Sequence, residues 1–308
     1  MAVSQFDRLL RAPSPPHALS IRMRAPRDFD FPWVLHFLGA RAVPGMEEIV
    51  AGAYRRSLRF RGQAIALELQ VRQNGAQAQV LLARVAGNIE RQVARKLLTR
   101  MFDLDADLAE FRLAIQADSL MRNLVRQRPT IRLPIYMDPF EGIVRAICGQ
   151  QVSLAAARTV TGRLVQRYGA FAPSISGRAL QLFPDPGTVA TTPVATLRNI
   201  GLTNAKASAI RTVANAMIEG SLCFEALQGA PPDLIRDTLQ SLRGIGPWTA
   251  SYIQMRVFGD RDAFPASDLG IAKALKETSN KAAEKRSLAW QPWRAYATLH
   301  LWNSLSHQ

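Results

Sequence analysis

The sequence predicts an α+β protein, in which an antiparallel α/β domain is followed by two mainly helical lobes. Two patterns support this fold class. Between Tyr54 and Val85, apolar residues alternate with other residues, as in strands that bury one face of a sheet. From about residue 107 onward, apolar residues recur at the three- and four-residue spacing of amphipathic helices. A chain of 308 residues is long enough for two or three such domains.

The first 28 residues differ in composition from the rest of the chain. They are rich in Pro, Ser and Arg, which predicts a flexible arm over residues 1–28. The antiparallel α/β domain is then expected over residues 29–106. Its strands are predicted at 58–60, 64–71 and 78–82, with a tight turn at Asn74-Gly75, and its helices at about 31–40, 45–53 and 87–101.

The remaining residues are predicted to be helical, with loops where Pro and Gly cluster. We expect one lobe to combine residues 107–131 with 255–308, and the other to span 132–254. The clearest helical patterns begin at Phe140 and cover 154–168 and 205–219.

The formal net charge is +15 and the isoelectric point is about 10.9. Such an excess of positive charge indicates a polyanionic partner, although a merely soluble basic protein would share it. No apolar run reaches the ~18 residues of a membrane span, and no secretory signal is apparent. Cys148 and Cys223 are too few for a disulfide framework or a zinc site. We therefore expect a cytoplasmic protein without a catalytic metal or an organic cofactor.

Residues 233–250 have the pattern of two helices joined by a short glycine turn. Leu and Ile recur at helical spacing up to Leu242, and Gly244 is a natural stop for that helix. Pro247 suits the first position of a second helix, where its missing N–H is not needed. The turn leaves backbone N–H groups that bind anions, and phosphate is the anion expected for so basic a protein.

Asp268 lies about twenty residues after this turn, directly before the apolar pattern of Leu269–Leu275. An Asp in this place is an ordinary helix N-cap. It is also a candidate catalytic carboxylate beside a phosphate-binding turn, and one side chain can serve both purposes.

The segment Leu242–Ala250 with Asp268 downstream resembles the helix-hairpin-helix superfamily of DNA base-excision glycosylases. Within that superfamily, the chain is most similar to the bacterial DNA-3-methyladenine glycosylase II enzymes. The likeness covers about residues 29–305 and continues, in the same order, at 37–43, 132–134, 144–153 and 293–302.

The resemblance implies a role for each matching residue. Asp268 would stabilise the positively charged sugar as the base departs, or orient the attacking water. Trp248 replaces the Lys with which strand-cutting members attack the sugar, which implies hydrolysis alone. An aromatic base pocket is implied at Phe37, Trp248, Tyr252 and Trp302, although each ring alone could be a core residue.

The resemblance also implies the contacts with DNA. Gln151 stands where the family carries a Leu that wedges into the duplex, although a Gln here could instead be a solvated loop residue. A structural Na⁺ or K⁺ ion is implied near the carbonyls of Leu242 and Ile245. Phosphate would be bound by the amides of Gly244, Ile245, Gly246 and Trp248, with Lys206 and Arg211 as helpers.

The sequence therefore predicts a monomeric, monofunctional glycosylase that acts on double-stranded DNA, flips alkylated purines and leaves an abasic site. We expect it in the bacterial cytoplasm at the nucleoid, with no membrane partner. One alternative is a glycosylase for oxidised or mismatched bases. Another is a DNA-binding protein that uses the hairpin without catalysis.

Overall fold

The structure, a computed structural model, describes residues 18–74 and 78–306. The chain divides into two compact units. The first comprises the residues up to Thr99 together with Gln151–Leu202, and the second comprises Arg100–Gln150 together with Thr203–Gln308. An antiparallel sheet lies in the first unit and the second is helical, which confirms the predicted α+β class.

The sheet of the first unit has five antiparallel strands in the spatial order β1-β5-β4-β3-β2. The predicted strands are confirmed, and Gly75 of the predicted turn lies outside the described residues. The strands are β1 (Ala18–Ala25), β2 (Glu47–Val50), β3 (Ala53–Phe60), β4 (Gln63–Asn74) and β5 (Ala78–Ala86).

Strand β1 corrects part of the flexible-arm prediction. Residues 1–17 lie outside the described part of the chain, but residues 18–25 pair along their whole length with β5. Ile21, Met23 and Ala25 are buried, whereas Arg22 and Arg24 between them are exposed. This two-residue alternation is that of a strand with one buried face, and it outweighs the arginine-rich composition.

The prediction of a helix over 45–53 is wrong, because these residues contain β2. A two-residue turn of Ala51 and Gly52, both with positive φ (50° and 74°), returns the chain directly into β3. Such turns match the twist of paired strands. Ile49 and Val50 have an apolar spacing that fits either a helix or a strand, so only the pairing with Tyr54 and Ala53 decides between them.

Among the helices of the first unit, the one at Arg91–Met101 adjoins the edge of this sheet. Arg91 and Arg95 donate hydrogen bonds to the carbonyls of Ser20 and Arg22 on the edge strand β1, at 2.7 and 2.8 Å. The helices are α1 (Phe31–Gly39), α2 (Arg91–Met101, which continues into the second unit), α6 (Leu154–Tyr168), α7 (Pro186–Thr191) and α8 (Val194–Arg198).

Residues 151–202 belong with the sheet, whereas the predicted lobe of 132–254 joined them to the hairpin. Hydrogen bonds link the two parts of the first unit. Arg158 Nε donates to the carbonyl of Ala42 at 3.0 Å, and the amide of Gln181 donates to the carbonyl of Gly45 at 2.8 Å. Contacts between distant segments, which no local pattern encodes, therefore set this division.

Aromatic side chains form part of the core of the second unit, which is helical. Phe111, Trp293 and Tyr296 are buried and lie in ring contact with one another. Among the described residues, no helix combines the length and hydropathy needed to cross a bilayer. The helices are α3 (Leu108–Ala114), α4 (Ser119–Gln127), α5 (Pro139–Gly149), α9 (Asn204–Ile218), α10 (Phe224–Leu227), α11 (Pro232–Gln240), α12 (Pro247–Ile253), α13 (Leu269–Leu275), α14 (Asn280–Ser287) and α15 (Arg294–Leu305), with a π-helical turn at Gln254–Phe258 and a 3₁₀ turn at Leu288–Trp290.

Candidate active site

The turn between α11 and α12 depends on Gly244. Its φ of +96° lies in the region that disfavours side chains, and a Cβ added here would stand 2.4 Å from Cβ of Ala209 on α9. The chain then closes a tight turn, in which the amide of Ile245 donates to the carbonyl of Leu242 at 3.0 Å. Pro247 begins α12 as the sequence predicts. The hairpin therefore packs closely against α9 and has no room for a larger residue at this glycine.

The hairpin amides differ in what they can bind. Among the described residues, no protein acceptor is found for the amides of Gly244, Gly246 and Trp248. The amide of Ile245, another predicted phosphate ligand, already donates to Leu242, and its side chain is buried. The N–H of Ile245 therefore helps to close the turn, and its contact with phosphate stays a prediction.

The backbone carbonyl groups of the turn are the expected ligands of the cation. The carbonyl of Leu242 accepts the Ile245 amide, so that one of its two lone pairs is still available. The carbonyl of Gly244 accepts the side-chain amide of Gln150 at 3.0 Å. The donor set around Leu242 and Ile245 thus consists of neutral carbonyl oxygens, which suit a hard monovalent cation. Among the described residues, no cluster of His, Cys, Asp and Glu could hold a metal ion.

Asp268 is the N-cap of α13 and the centre of a wider hydrogen-bond arrangement. Its Oδ1 accepts the amide of Ile271 at 3.0 Å, which is the expected capping bond. The same oxygen accepts the indole N–H of Trp302 at 2.9 Å, and Oδ2 accepts the indole N–H of Trp248 at 2.9 Å. The structure therefore joins the carboxylate to one side chain from the hairpin helix α12 and another from α15.

Three half-buried rings, Trp248, Tyr252 and Trp302, form a continuous group that we call the aromatic cluster. Trp248 stacks on Tyr252 with ring centroids 5.5 Å apart, and Tyr252 lies 6.2 Å from Trp302 at a tilt of 37°. Trp248 and Tyr252 are one helical turn apart on α12, so their stacking follows from local geometry. The contact with Trp302 depends on the tertiary fold.

A buried cationic side chain lies next to the aromatic cluster. The guanidinium of Arg256 is 5.9 Å from the ring centre of Tyr252 and 4.9 Å from that of Tyr136. Its Nε donates to the carbonyl of Pro134 at 2.7 Å, which fixes the group in place. Burial raises the pKa of Tyr136 to about 12, so this phenol stays neutral at physiological pH.

The end of α5 is tied to both the hairpin and α9. Gln150 Nε2 donates to the carbonyl of Gly244 and to Thr249 Oγ1, the latter at 2.9 Å. Lys206 Nζ donates to the carbonyls of Cys148 and Gln150 at 3.0 and 2.7 Å. Lys206 is predicted from the sequence to help bind phosphate, but its ammonium group instead satisfies the end of a helix.

The two other predicted site residues belong to the first unit. Gln151 comes directly after Gln150, with an exposed side chain and a φ of +54°. Phe37 is buried on α1, where it stacks on Trp33 and lies under the guanidinium of Arg41 at 3.8 Å. The wedge role of Gln151 and the base-pocket role of Phe37 stay predictions.

Gly270 adjoins the carboxylate of Asp268 and is not among the site residues predicted from the sequence. A Cβ added to it would stand 2.9 Å from Asp268 Oδ1 and 3.1 Å from Cδ1 of Trp302. The only sequence signal is a glycine inside the first turn of a helix, where it is less favourable than alanine. Its absent side chain makes room for the indole that binds the carboxylate.

Comparison with known proteins places these features in a family. Residues 18–138 match the AlkA N-terminal domain, and residues 144–291 match the HhH-GPD superfamily of base excision DNA repair proteins. DNA-3-methyladenine glycosylase 2 of Escherichia coli K12 is 32% identical over 279 residues, which cover 89% of this chain and 93% of that protein.

A second relative is longer than this chain. The probable bifunctional transcriptional activator/DNA repair enzyme AlkA of Mycobacterium tuberculosis H37Rv is 36% identical over 302 residues, which cover 94% of this chain but only 57% of that protein. The solved 3-methyladenine DNA-glycosylase from Archaeoglobus fulgidus has the same fold, with a TM-score of 0.79 and 23% identity over 92% of this chain and 97% of that one. The chain therefore belongs to the HhH-GPD superfamily of base excision DNA repair proteins and, within it, to the DNA-3-methyladenine glycosylase 2 family.

Proposed function

We propose that this protein is a monofunctional DNA glycosylase, which flips an alkylated purine of the 3-methyladenine type out of duplex DNA and hydrolyses its N-glycosidic bond. The observation that carries the proposal is the carboxylate of Asp268 in contact with the aromatic cluster. The hairpin amides that can bind a phosphate lie in the same unit. Family membership supports the same reaction.

In this mechanism the negative charge of Asp268 stabilises the transition state. The sugar develops positive charge as the base leaves, and a fixed carboxylate stabilises that state more than the ground state. Removal of one preorganised electrostatic group of this kind typically lowers a rate by about 10²–10³. The same carboxylate can also orient the attacking water.

The aromatic cluster supplies binding for the flipped base. Alkylation of a ring nitrogen gives a purine a positive charge, and the face of an indole or phenol attracts a cation by about 0.5–2 kcal/mol. A weakly paired, alkylated base is also easier to unstack than a normal one. Trp248 offers no amine to attack the sugar, so the product is an abasic site and the strand stays intact.

Binding to DNA would use backbone contacts that are independent of sequence. The amides of Gly244, Gly246 and Trp248 are available for phosphate at the start of α12. Gln151 would enter the gap left by the flipped base. Its positive φ is a strained conformation for a residue with a side chain, which is often found at functional positions. A monovalent cation on the carbonyls of Leu242 and Ile245 would add to phosphate binding.

The decisive experiment is Asp268→Asn. Asparagine caps a helix about as well as aspartate, so α13 should keep its start while the negative charge is lost. We expect single-turnover release of 3-methyladenine from a duplex with one lesion to fall by about 10²–10³, with unchanged affinity for duplex DNA. A variant that releases the base at the wild-type rate would exclude Asp268 as the catalytic group.

The same assay separates the alternative functions. A DNA-binding protein without catalysis would release no base from any lesion. A glycosylase for oxidised bases would release 8-oxoguanine faster than 3-methyladenine from otherwise identical duplexes. We expect the opposite preference, because the cluster offers ring faces for a cationic base.

A further inference from the structure

We infer that Trp248 and Trp302 are positioning residues for the carboxylate, in addition to any contact with the base. Their indole N–H groups orient Asp268 so that Oδ2, through its one remaining lone pair, is the oxygen that faces the reacting sugar. This inference rests on the proposed glycosylase function and refines it at the level of single atoms.

The hydrogen bonds of Asp268 with other described residues occupy all but one of its acceptor positions. A carboxylate offers about four acceptor positions, two on each oxygen. Oδ1 fills both of its positions with the Ile271 amide and the Trp302 indole, at 3.0 and 2.9 Å. Oδ2 accepts only the Trp248 indole, at 2.9 Å, among the partners that the described residues provide. One position on Oδ2 is therefore the place where water or the sugar can approach the carboxylate within hydrogen-bonding distance.

The edge and the face of an indole ring can bind different groups. An indole N–H lies in the plane of its ring, whereas cation–π attraction acts through the ring face, perpendicular to that plane. Trp248 and Trp302 can therefore hold the carboxylate with their edges, while the face of Trp248 that does not stack on Tyr252 and a face of Trp302 would remain for a base. Since the same two rings would contact both groups, the base and the carboxylate are held in a fixed relation to each other.

Gly270 supports the same arrangement from the first turn of α13. The position of its missing side chain is within 3.3 Å of the Nε1 atom of Trp302, and closer still to Asp268 Oδ1. Any residue larger than glycine would have to displace one of the two partners. The hydrogen bond between Trp302 and Asp268 is thus built into the packing of α13 against α15.

The test uses Trp248→Phe and Trp302→Phe, because phenylalanine keeps an aromatic face and removes the N–H donor. Trp290→Phe is the matched control. Trp290 lies in the same unit and donates its indole N–H to a different carboxylate, Asp118, at 3.1 Å. Circular dichroism and thermal unfolding should first show that each protein is folded at the assay temperature.

Two measurements report on the carboxylate rather than on general structure. The first is single-turnover release of a cationic base, 3-methyladenine, and of a neutral base, hypoxanthine. The second is affinity for duplexes with a positively charged pyrrolidine or a neutral tetrahydrofuran in place of the target sugar. The pyrrolidine mimics the charge of the transition state. The ratio of the protein's affinities for the pyrrolidine and tetrahydrofuran duplexes therefore measures how well the carboxylate is placed.

We expect each site variant to lose about ten- to a hundredfold in release rate, the range for a hydrogen bond to a charged group. The loss should be similar for both bases, and the preference for pyrrolidine should fall with it while tetrahydrofuran binding changes little. Trp290→Phe should leave both measurements unchanged.

Other results would overturn the inference. Wild-type rates in both site variants would show that the indole N–H groups are not needed. A loss confined to the cationic base would assign the rings to base contact alone, and an equal loss in Trp290→Phe would indicate a structural effect. If the wild-type protein released no base, the proposed function itself would fail, which is a distinct outcome.

Discussion

Replacement of Gly244 by alanine should destabilise the hairpin, because the backbone conformation and the space at this position both disfavour a side chain. Alanine at the observed φ of +96° is strained by about 1–2 kcal/mol. The new Cβ would also stand 2.4 Å from Cβ of Ala209 and 3.4 Å from its Cα. The overlap is with Cβ of Ala209, which is bonded directly to the backbone of α9, so a side-chain rotation cannot relieve it, and overpacking adds about 1–3 kcal/mol.

We therefore expect Gly244→Ala to lower the free energy of unfolding of the second unit by about 2–5 kcal/mol. Gly246→Ala is the matched control, because its φ is −89° and an added Cβ meets no atom within 4 Å. Gly246 is the N-cap of α12, where alanine is less favourable than glycine, and this cost opposes the gain through the unfolded chain, so the change should alter stability by no more than about 1 kcal/mol.

Urea denaturation followed by tryptophan fluorescence would measure this difference. The second unit contains Trp248, Trp290, Trp293 and Trp302, so its unfolding dominates the signal. Affinity for duplex DNA should fall with stability in Gly244→Ala, since the displaced turn carries the amides that we propose bind phosphate. Equal stabilities of the two alanine variants would refute the argument that close packing against α9 leaves no room for a side chain at Gly244.

Three further predictions concern the helical unit. Burial lowers the pKa of His300 from 6.5 to about 3, so only the unfolded state takes up a proton as the pH falls from 6.5 towards 3. The free energy of unfolding should therefore decline by up to about 4 kcal/mol over this range. His300→Leu should flatten this decline in urea titrations. Tyr296→Phe removes the hydroxyl that donates to Asp103 Oδ2 at 2.6 Å, and should lower the free energy of unfolding by about 1–3 kcal/mol in the same titrations. Lys206→Met should lower the thermal midpoint but leave the salt dependence of DNA binding unchanged; a flatter salt dependence would restore Lys206 as a phosphate contact.

Local signals predict much of the fold correctly. The helix over 154–168 is confirmed at both ends, because Ser153 supplies a cap and Gly169 a stop. Pro247 begins α12 for an equally local reason, its fixed φ and absent N–H. The helix predicted over 45–53 is wrong, since pairing with β3 is a contact that apolar spacing does not encode.

The sequence by itself determined the family, the glycine hairpin and the position of Asp268 at the start of a helix. The hairpin and the helix start depend on residues a few positions apart, whose preferences act within one turn of chain. Only the tertiary structure decided what the carboxylate contacts. Trp302 lies 34 residues from Asp268, and its indole reaches Oδ1 only because α15 packs against α13 where Gly270 leaves room. The side chains that hydrogen-bond to Asp268 are therefore set by close packing between helices that are far apart in the sequence, because that packing decides how much space is available at each atom.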